Sequence, residues 1–275
     1  MSDTQFVCSL AVAAGAEILK IYAEPFERFE KADGSPVTVA DEAGEKVILE
    51  GLSRRFPDIP IIAEEAVEAG LLPQTGSRYF LVDPLDGTKE FLKKNGEFTV
   101  NIALIEDGVP VFGVVLAPAL DEIYWGGSLD GSSIGAFKGR IENGSIIDAK
   151  PIAVRAVPEM GLSIVASRSH MSDETATLIS TLDVAETVSV GSSLKLCLVA
   201  EGKADLYPRL APTMQWDIAA GDAVVRAAGG KVVYAASGED FIYEVPESAE
   251  KIDLLNPHFL AVSEVGLLSG LAPAA

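Results

Sequence analysis

At 275 residues, 48% of them hydrophobic, the chain is long enough to bury a large core as one big domain or two closely packed ones. Its 21 basic against 41 acidic residues leave a net charge of -20, which argues against a nucleic acid duplex or an anionic membrane as partner. With two histidines and two cysteines, Cys8 and Cys197, each cysteine in an apolar helical pattern, zinc sites and disulfide frameworks are poorly supplied.

Buried free thiols in a reducing compartment fit that pattern better. Apolar runs broken before bilayer-spanning length, and no basic-then-apolar leader, predict no transmembrane segment and a cytoplasmic location, with peripheral association at the inner membrane left open. An anionic substrate would need recruited cations, for which Mg2+ on oxygen ligands and a few placed Lys or Arg side chains are the natural choice.

Ser2 and Gln5 make a capping-box pattern, and Phe6, Leu10, Ala14, Ile18 and Ile21 follow at helical spacing. Lys31 to Pro36 reads as a polar loop. Thr38 then caps a second amphipathic helix through Leu52, with Asp41 in its first turn, where an acid ordinarily complements the helix dipole. Ile61 to Ala63 is a short strand ending on Glu64 and Glu65, an unusual pair of acids at a buried strand end. Tyr79 to Val82 is a buried strand, Pro84 and Gly87 are predicted to break it into a tight turn, and Thr88 to Leu92 opens a short helix. Asp83 and Asp86 would flank that turn, with the Gly87 and Thr88 amides free at the helix start, an arrangement suited to a hard cation and a phosphate.

Phe98 to Pro118 holds two strand runs joined at Asp107-Gly108, and Glu122 to Trp125 with Ile134 to Phe137 reads as another hairpin. A polar stretch from Asn143 to Lys150 suggests a division into residues 1–148, an α+β half, and 149–275, an α/β half. In the latter, strands at 162–166, 187–190, 204–207, 231–234 and 259–262 alternate with helices at 173–182, 193–200 and 216–228. Asp217 opens the last helix, ahead of the small residues Ala219, Ala220 and Gly221, and supplies the third acid source that a two-metal centre on Asp83 and Asp86 requires.

Gly131 to Gly135 spells the letters of a serine-hydrolase elbow around Ser133, with His258 downstream. It lies between two strand runs, whereas an elbow needs a strand-turn-helix. A phosphate-binding P-loop and an EF-hand are both absent from the sequence.

Glu64-Glu65, Asp83-Pro84-Leu85-Asp86-Gly87-Thr88 and Trp216-Asp217-Ile218-Ala219-Ala220-Gly221 together resemble the inositol monophosphatase-like superfamily of metal-dependent, lithium-sensitive phosphatases. Within it, Lys31 to Thr38, Thr88 to Phe91, Asn95 to Leu104 and Gly191 to Lys195 look like the CysQ-type 3'(2'),5'-bisphosphate nucleotidases. The resemblance implies a layered α-β-α-β-α sandwich of the inositol monophosphatase and sugar phosphatase type. It implies that Glu64, Asp83 and the Leu85 carbonyl hold one Mg2+, that Asp83, Asp86 and Asp217 hold a second, and that a third, weaker ion associates with Glu64. Asp41 and Thr88 would orient and deprotonate the attacking water, and the Gly87 and Thr88 amides would grip the phosphate. His170, Ser192, Lys195 and Arg209 would face the nucleotide and its second phosphate.

The implied activity is hydrolysis of adenosine 3',5'-bisphosphate to AMP and phosphate in sulfur assimilation, with the sulfated form as a further substrate. The rivals are an inositol monophosphatase with the same chemistry, a catalytically silent metal- or partner-binding protein, and a serine esterase using Ser133.

Overall fold

The computed structural model describes residues 1–24, 28–30, 36–132, 135–167 and 172–270. Helix α1 (Asp3–Ala23) starts with the expected capping box: Ser2 Oγ accepts from the Gln5 amide at 3.2 Å and Gln5 Oε1 accepts from the Ser2 amide at 3.1 Å. At 21 residues, α1 is long and apolar enough to cross a bilayer by length and composition, contrary to the expectation that charges or glycines break the apolar runs before that length. Its stripe of Val7, Ala11, Ala14 and Ile18 is instead buried in the protein core. A short antiparallel ribbon, β1 (Arg28–Glu30) and β2 (Pro36–Thr38), leads into α2 (Val39–Arg55), which packs on α1.

Strand β3 (Ile61–Ala63), helix α3 (Glu64–Glu68), strand β4 (Arg78–Asp86) and helix α4 (Thr88–Leu92) follow. Then come β5 (Thr99–Glu106), β6 (Val109–Ala117), β7 (Glu122–Gly127), β8 (Ala136–Glu142) and β9 (Ser145–Ile152). They build a seven-stranded sheet in the order β3-β4-β5-β6-β7-β8-β9, antiparallel except for the β3–β4 pair. Alternate residues point to opposite faces. Phe80, Val82, Ile102 and Leu104 meet α1 and α2, while Tyr79, Leu81, Ala103 and Ile105 meet the helices of the second half. A sheet covered on both faces explains why its strands read as unbroken apolar runs.

The second half contributes β10 (Leu162–Ser167), α5 (Asp173–Ser180), β11 (Val184–Val190), α6 (Leu194–Ala200), β12 (Leu206–Arg209), α7 (Gln215–Ala227), β13 (Lys231–Tyr234) and β14 (Phe259–Val262). Its five-stranded sheet, ordered β11-β10-β12-β14-β13, mixes parallel and antiparallel pairs. Val165, Tyr207, Val232 and Phe259 face α6 and α7; Ile164, Leu206, Val233 and Leu260 face away, toward Leu178 and Ile179 of α5. The layers are therefore α1/α2, sheet, α6/α7, sheet, α5, the expected α-β-α-β-α order.

The middle layer is tight. A Cβ on Gly113 of β6 would run into the Ala220 carbonyl of α7, so the glycine and the small residues of α7 together allow backbone contact between helix and sheet. On the same helix, buried Asp222 accepts from Arg226 Nε at 2.7 Å and from the Tyr243 hydroxyl at 3.1 Å, and burial still pushes its carboxyl up to about 6.

Two expectations differ in detail. The division at 148/149 falls inside β9, whose Lys150 to Ile152 pair with β8; the chain crosses to the second sheet between Ile152 and Leu162. Pro84 does not end β4 either. The strand continues to Asp86, with an irregularity between Asp83 and Asp86, and the chain reverses at Gly87, at φ 94°.

Candidate active site

The irregularity in β4 is what assembles the site. Asp83 lies opposite Asn101 and Asp86 opposite Thr99, so three steps along β4 span two along β5 and β4 carries one extra residue. In a regular strand, residues three apart point to opposite faces. The extra residue returns both carboxylates to the face carrying Thr99 and Asn101, which looks toward α6 and α7. Gly87 then permits the left-handed turn; a Cβ there would also collide with Ser192 Oγ, so two constraints demand glycine.

Helix starts supply the other acids. Glu64 is the first residue of α3, directly after β3, and Asp217 sits in the first turn of α7. Asp41 holds the same place in α2, where its Oδ2 accepts from the Thr38 amide and hydroxyl, both at 2.8 Å. The dipole reading of Asp41 is thus correct for one oxygen. Its other oxygen, Oδ1, lies 3.4 Å from Thr88 Oγ1 at the start of α4, so the expected Asp41–Thr88 pair forms. Helix N-termini carry partial positive charge and free amides, so their convergence favours a bound anion as well as the carboxylates.

Asp83, Glu64, Asp86 and Asp217 sense one another electrostatically. Burial first, then the Glu64, Asp86 and Asp217 charges, hold the Asp83 carboxyl well above its ordinary range. Asp217 is raised in the same way, by burial and then by Asp86 and Glu64. Burial raises Asp86 too, opposed by Lys195 and by hydrogen bonds from Ser193. Among the described residues no three such groups are gathered around one point as an ion would hold them. Asp83 Oδ1 instead accepts from the Leu85 amide at 3.0 Å, and Asp217 Oδ2 from the Met214 amide at 2.8 Å. The donor set is nonetheless all oxygen and in excess negative charge, with Asp83 buried and Glu64, Asp86 and Asp217 partly so, which is the chemistry of a hard divalent cation site.

Positive charge enters from the second half. Lys195, in the first turn of α6, is buried, and burial pushes its ammonium down to about 8 against the pull of Asp86. Its Nζ stands 5.7 Å from the centre of the Tyr207 ring. Arg209, at the end of β12, donates to the Pro212 carbonyl at 2.9 Å, and its buried Nε has no partner among the described residues. Ser192, expected to face the nucleotide, has its Oγ 2.8 Å from both the Asp86 and Glu97 carbonyls, a link between the two halves. His170 lies outside the described residues, as do Lys31 to Ser35 and Ser133.

Ser193 and Asn101 lie inside stretches that carry the resemblance, but the sequence assigns neither a role of its own. Ser193 Oγ lies 2.6 Å from the Asp217 carbonyl and 3.1 Å from Asp86 Oδ2, and accepts from Asn101 Nδ2 at 2.9 Å. A polar Asn101 inside the apolar run from Phe98 to Leu104 was the legible signal for it.

Residues 2–265 match the inositol monophosphatase family. The 3'(2'),5'-bisphosphate nucleotidase CysQ of Salmonella typhimurium is 48% identical over 255 residues, covering 92% of this chain and 96% of its own. The crystal structure of CysQ from Bacteroides thetaiotaomicron, a bacterial member of the inositol monophosphatase family, superposes with a TM-score of 0.76 at 40% identity, over 94% of this chain and 97% of that one. The inositol monophosphatase of Anabaena (Nostoc) sp. follows at TM-score 0.72 and 28% identity, over 98% and 96% of the two chains. With every carboxylate-bearing segment of the site inside the matched span, the chain belongs to the inositol monophosphatase family.

Proposed function

We propose that the protein is a Mg2+-dependent phosphatase that removes the 3'-phosphate of adenosine 3',5'-bisphosphate, giving AMP and phosphate. The observation that carries this reading is that the carboxylates of Glu64, Asp83, Asp86 and Asp217 interact electrostatically with one another and with two second-half cations, Lys195 and Arg209. A monophosphate substrate needs only the cluster. A second anionic group on the substrate gives the buried cations a partner. The identity to bisphosphate nucleotidases, well above that to the inositol monophosphatase, points the same way.

Glu64, Asp83, Asp86, Asp217 and the Leu85 carbonyl would hold two to three Mg2+ ions. When bound, Mg2+ supplies positive charge to the phosphoryl group, to the attacking water and to the departing oxygen. Thr88 donates its hydroxyl hydrogen to Asp41 Oδ1, which leaves Thr88 Oγ1 a lone pair to orient a water and relay its proton to the carboxylate. Thr38 fixes the opposite Asp41 oxygen, so the carboxylate cannot swing away as it takes up charge. The Gly87 and Thr88 amides, at the turn, would hold the phosphoryl oxygens. Lys195 and Arg209, with His170, would hold the second phosphate. Lithium, replacing one Mg2+, would inhibit.

Phosphate release from adenosine 3',5'-bisphosphate and from inositol 1-phosphate, with Mg2+ and with or without lithium, tests the reading. The nucleotide should be strongly preferred. Lys195→Met and Arg209→Met, which keep side-chain bulk and remove charge, should each raise the KM for the bisphosphate by about 10- to 100-fold, since a charge-assisted hydrogen bond contributes about 1.5–3 kcal/mol. Hydrolysis of a simple monophosphate should change far less. Equal losses on both substrates would remove the second-phosphate assignment, and a preference for inositol phosphate would keep the cluster and discard the nucleotide.

A further inference from the structure

Ser193 is the N-cap residue of α6 and is buried. Its hydroxyl joins three elements from both halves of the chain: Asp86 on β4, Asn101 on β5 and the Asp217 carbonyl on α7. A serine has one hydrogen to donate. The Asp217 carbonyl can only accept, and so can an ionised Asp86. Oγ therefore donates to one of these at a time and must accept from Asn101, which fixes the Asn101 amide with its NH2 toward Ser193.

Asn101 is fully buried, and its Oδ1 has no partner among the described residues. On the same face of β5, Ala103 and Ile105 are apolar and packed. An apolar residue at position 101 would avoid stranding a buried acceptor, which is costly. The asparagine is therefore explained by what it does for Ser193 rather than by packing.

We propose that Ser193, oriented by Asn101, is a positioning residue that fixes the Asp86 carboxylate against the first turn of α7, and so sets how tightly the carboxylate cluster holds a divalent cation. This rests on the metal-dependent reading given above. Asp86 and Asp217 come from opposite halves of the chain and repel one another when ionised. Without the Ser193 hydroxyl between them, Asp86 would lose one hydrogen-bond partner, with Thr99 Oγ1 remaining at 3.5 Å, and closing the two around one cation would require more ordering of Asp86 at the moment of binding. Ser193 removes that cost beforehand, in the way hydrogen-bond partners of metal ligands usually do.

Mg2+ titration by calorimetry without substrate, on the wild type, Ser193→Ala, Asn101→Val and Asp86→Asn, tests this. Melting in EDTA accompanies it. Ser193→Ala should weaken Mg2+ binding by about tenfold, the lower end of what loss of such a partner costs. The Mg2+ concentration for half-maximal phosphate release should rise by the same factor, while the rate at saturating Mg2+ falls by much less. Asn101→Val should show a smaller loss in the same direction, and the double variant should be no weaker than Ser193→Ala alone, because both act through one hydroxyl. Should Ser193→Ala not fold, Asn101→Val carries the test. Wild-type Mg2+ affinity in both variants, with binding abolished in Asp86→Asn, would overturn the positioning role and leave the metal centre standing. Wild-type affinity in Asp86→Asn would overturn the metal reading and this proposal together.

Discussion

Replacing Asp86 with Asn should lower Mg2+-dependent phosphate release by about a thousandfold or more, equivalent to ~4 kcal/mol of transition-state stabilisation. The substitution is nearly isosteric, and an amide oxygen can still accept from Ser193, 3.1 Å away. What it removes is one negative charge and one ligand oxygen from the cluster. That charge is held in place against burial by Lys195, by the Ser193 hydrogen bonds and by a longer contact from the Thr99 hydroxyl at 3.5 Å. Nothing in the fold requires it, so the variant should melt no lower than the wild type in EDTA. A full rate in Asp86→Asn would eliminate metal-assisted hydrolysis at this cluster. A lost rate accompanied by a lost fold would instead point to a structural acid, an outcome the electrostatics argue against.

Much of this site is legible in the chain because its signals are violations. Acids directly after a buried strand, at Glu64, and inside one, at Asp83, conflict with burial and therefore advertise chemistry. Helix starts at Thr38 and Trp216 could be read from caps and periodicity, and the two-sided burial of the first sheet made its strands plain apolar runs. The remainder depends on long-range pairing. Ribbon strands Arg28–Glu30 and Pro36–Thr38 are too short to show a period, and β9 reads as a polar loop because it is an edge strand carrying Lys150 and Pro151. Pro84 looked like a strand terminator, yet the extra residue between Asp83 and Asp86 absorbs it as an irregularity, and the site depends on that irregularity. Ser192 and Ser193 are adjacent and chemically identical. Only the packing separates them, giving Ser192 the Asp86 and Glu97 carbonyls and Ser193 the carboxylate.

The metal-free protein should lose stability as pH rises from about 4 to neutrality, and Mg2+ should restore it. Asp83, Asp86 and Asp217 all have folded-state pKa values raised above the ordinary carboxylate value of about 3.9. Above that value the unfolded chain has released these protons while the folded chain still holds them, so the folded state binds more protons and stability falls with pH. Asp222, raised to about 6, adds the same sign over a narrower window. Glu122 and Asp240, lowered by Lys138 and Lys231 respectively, have the opposite sign, but their contribution is lost only as pH drops below about 4.5 and leaves the slope above it unchanged. Mg2+ should act most strongly at neutral pH, where ligands are most easily deprotonated. At a hundred times its dissociation constant it adds about 2.7 kcal/mol, or roughly 5–10 °C in melting temperature for a chain of this size. Asp217→Asn should flatten the metal-free slope and reduce the Mg2+ increment together, since both originate in the same crowded charge. Melting curves in EDTA and in Mg2+ across that pH range are the measurement. A metal-free melting temperature that climbs from pH 5 to 7.5, or one that Mg2+ leaves unmoved, would mean that these carboxylates are neutralised by the protein itself and await no cation.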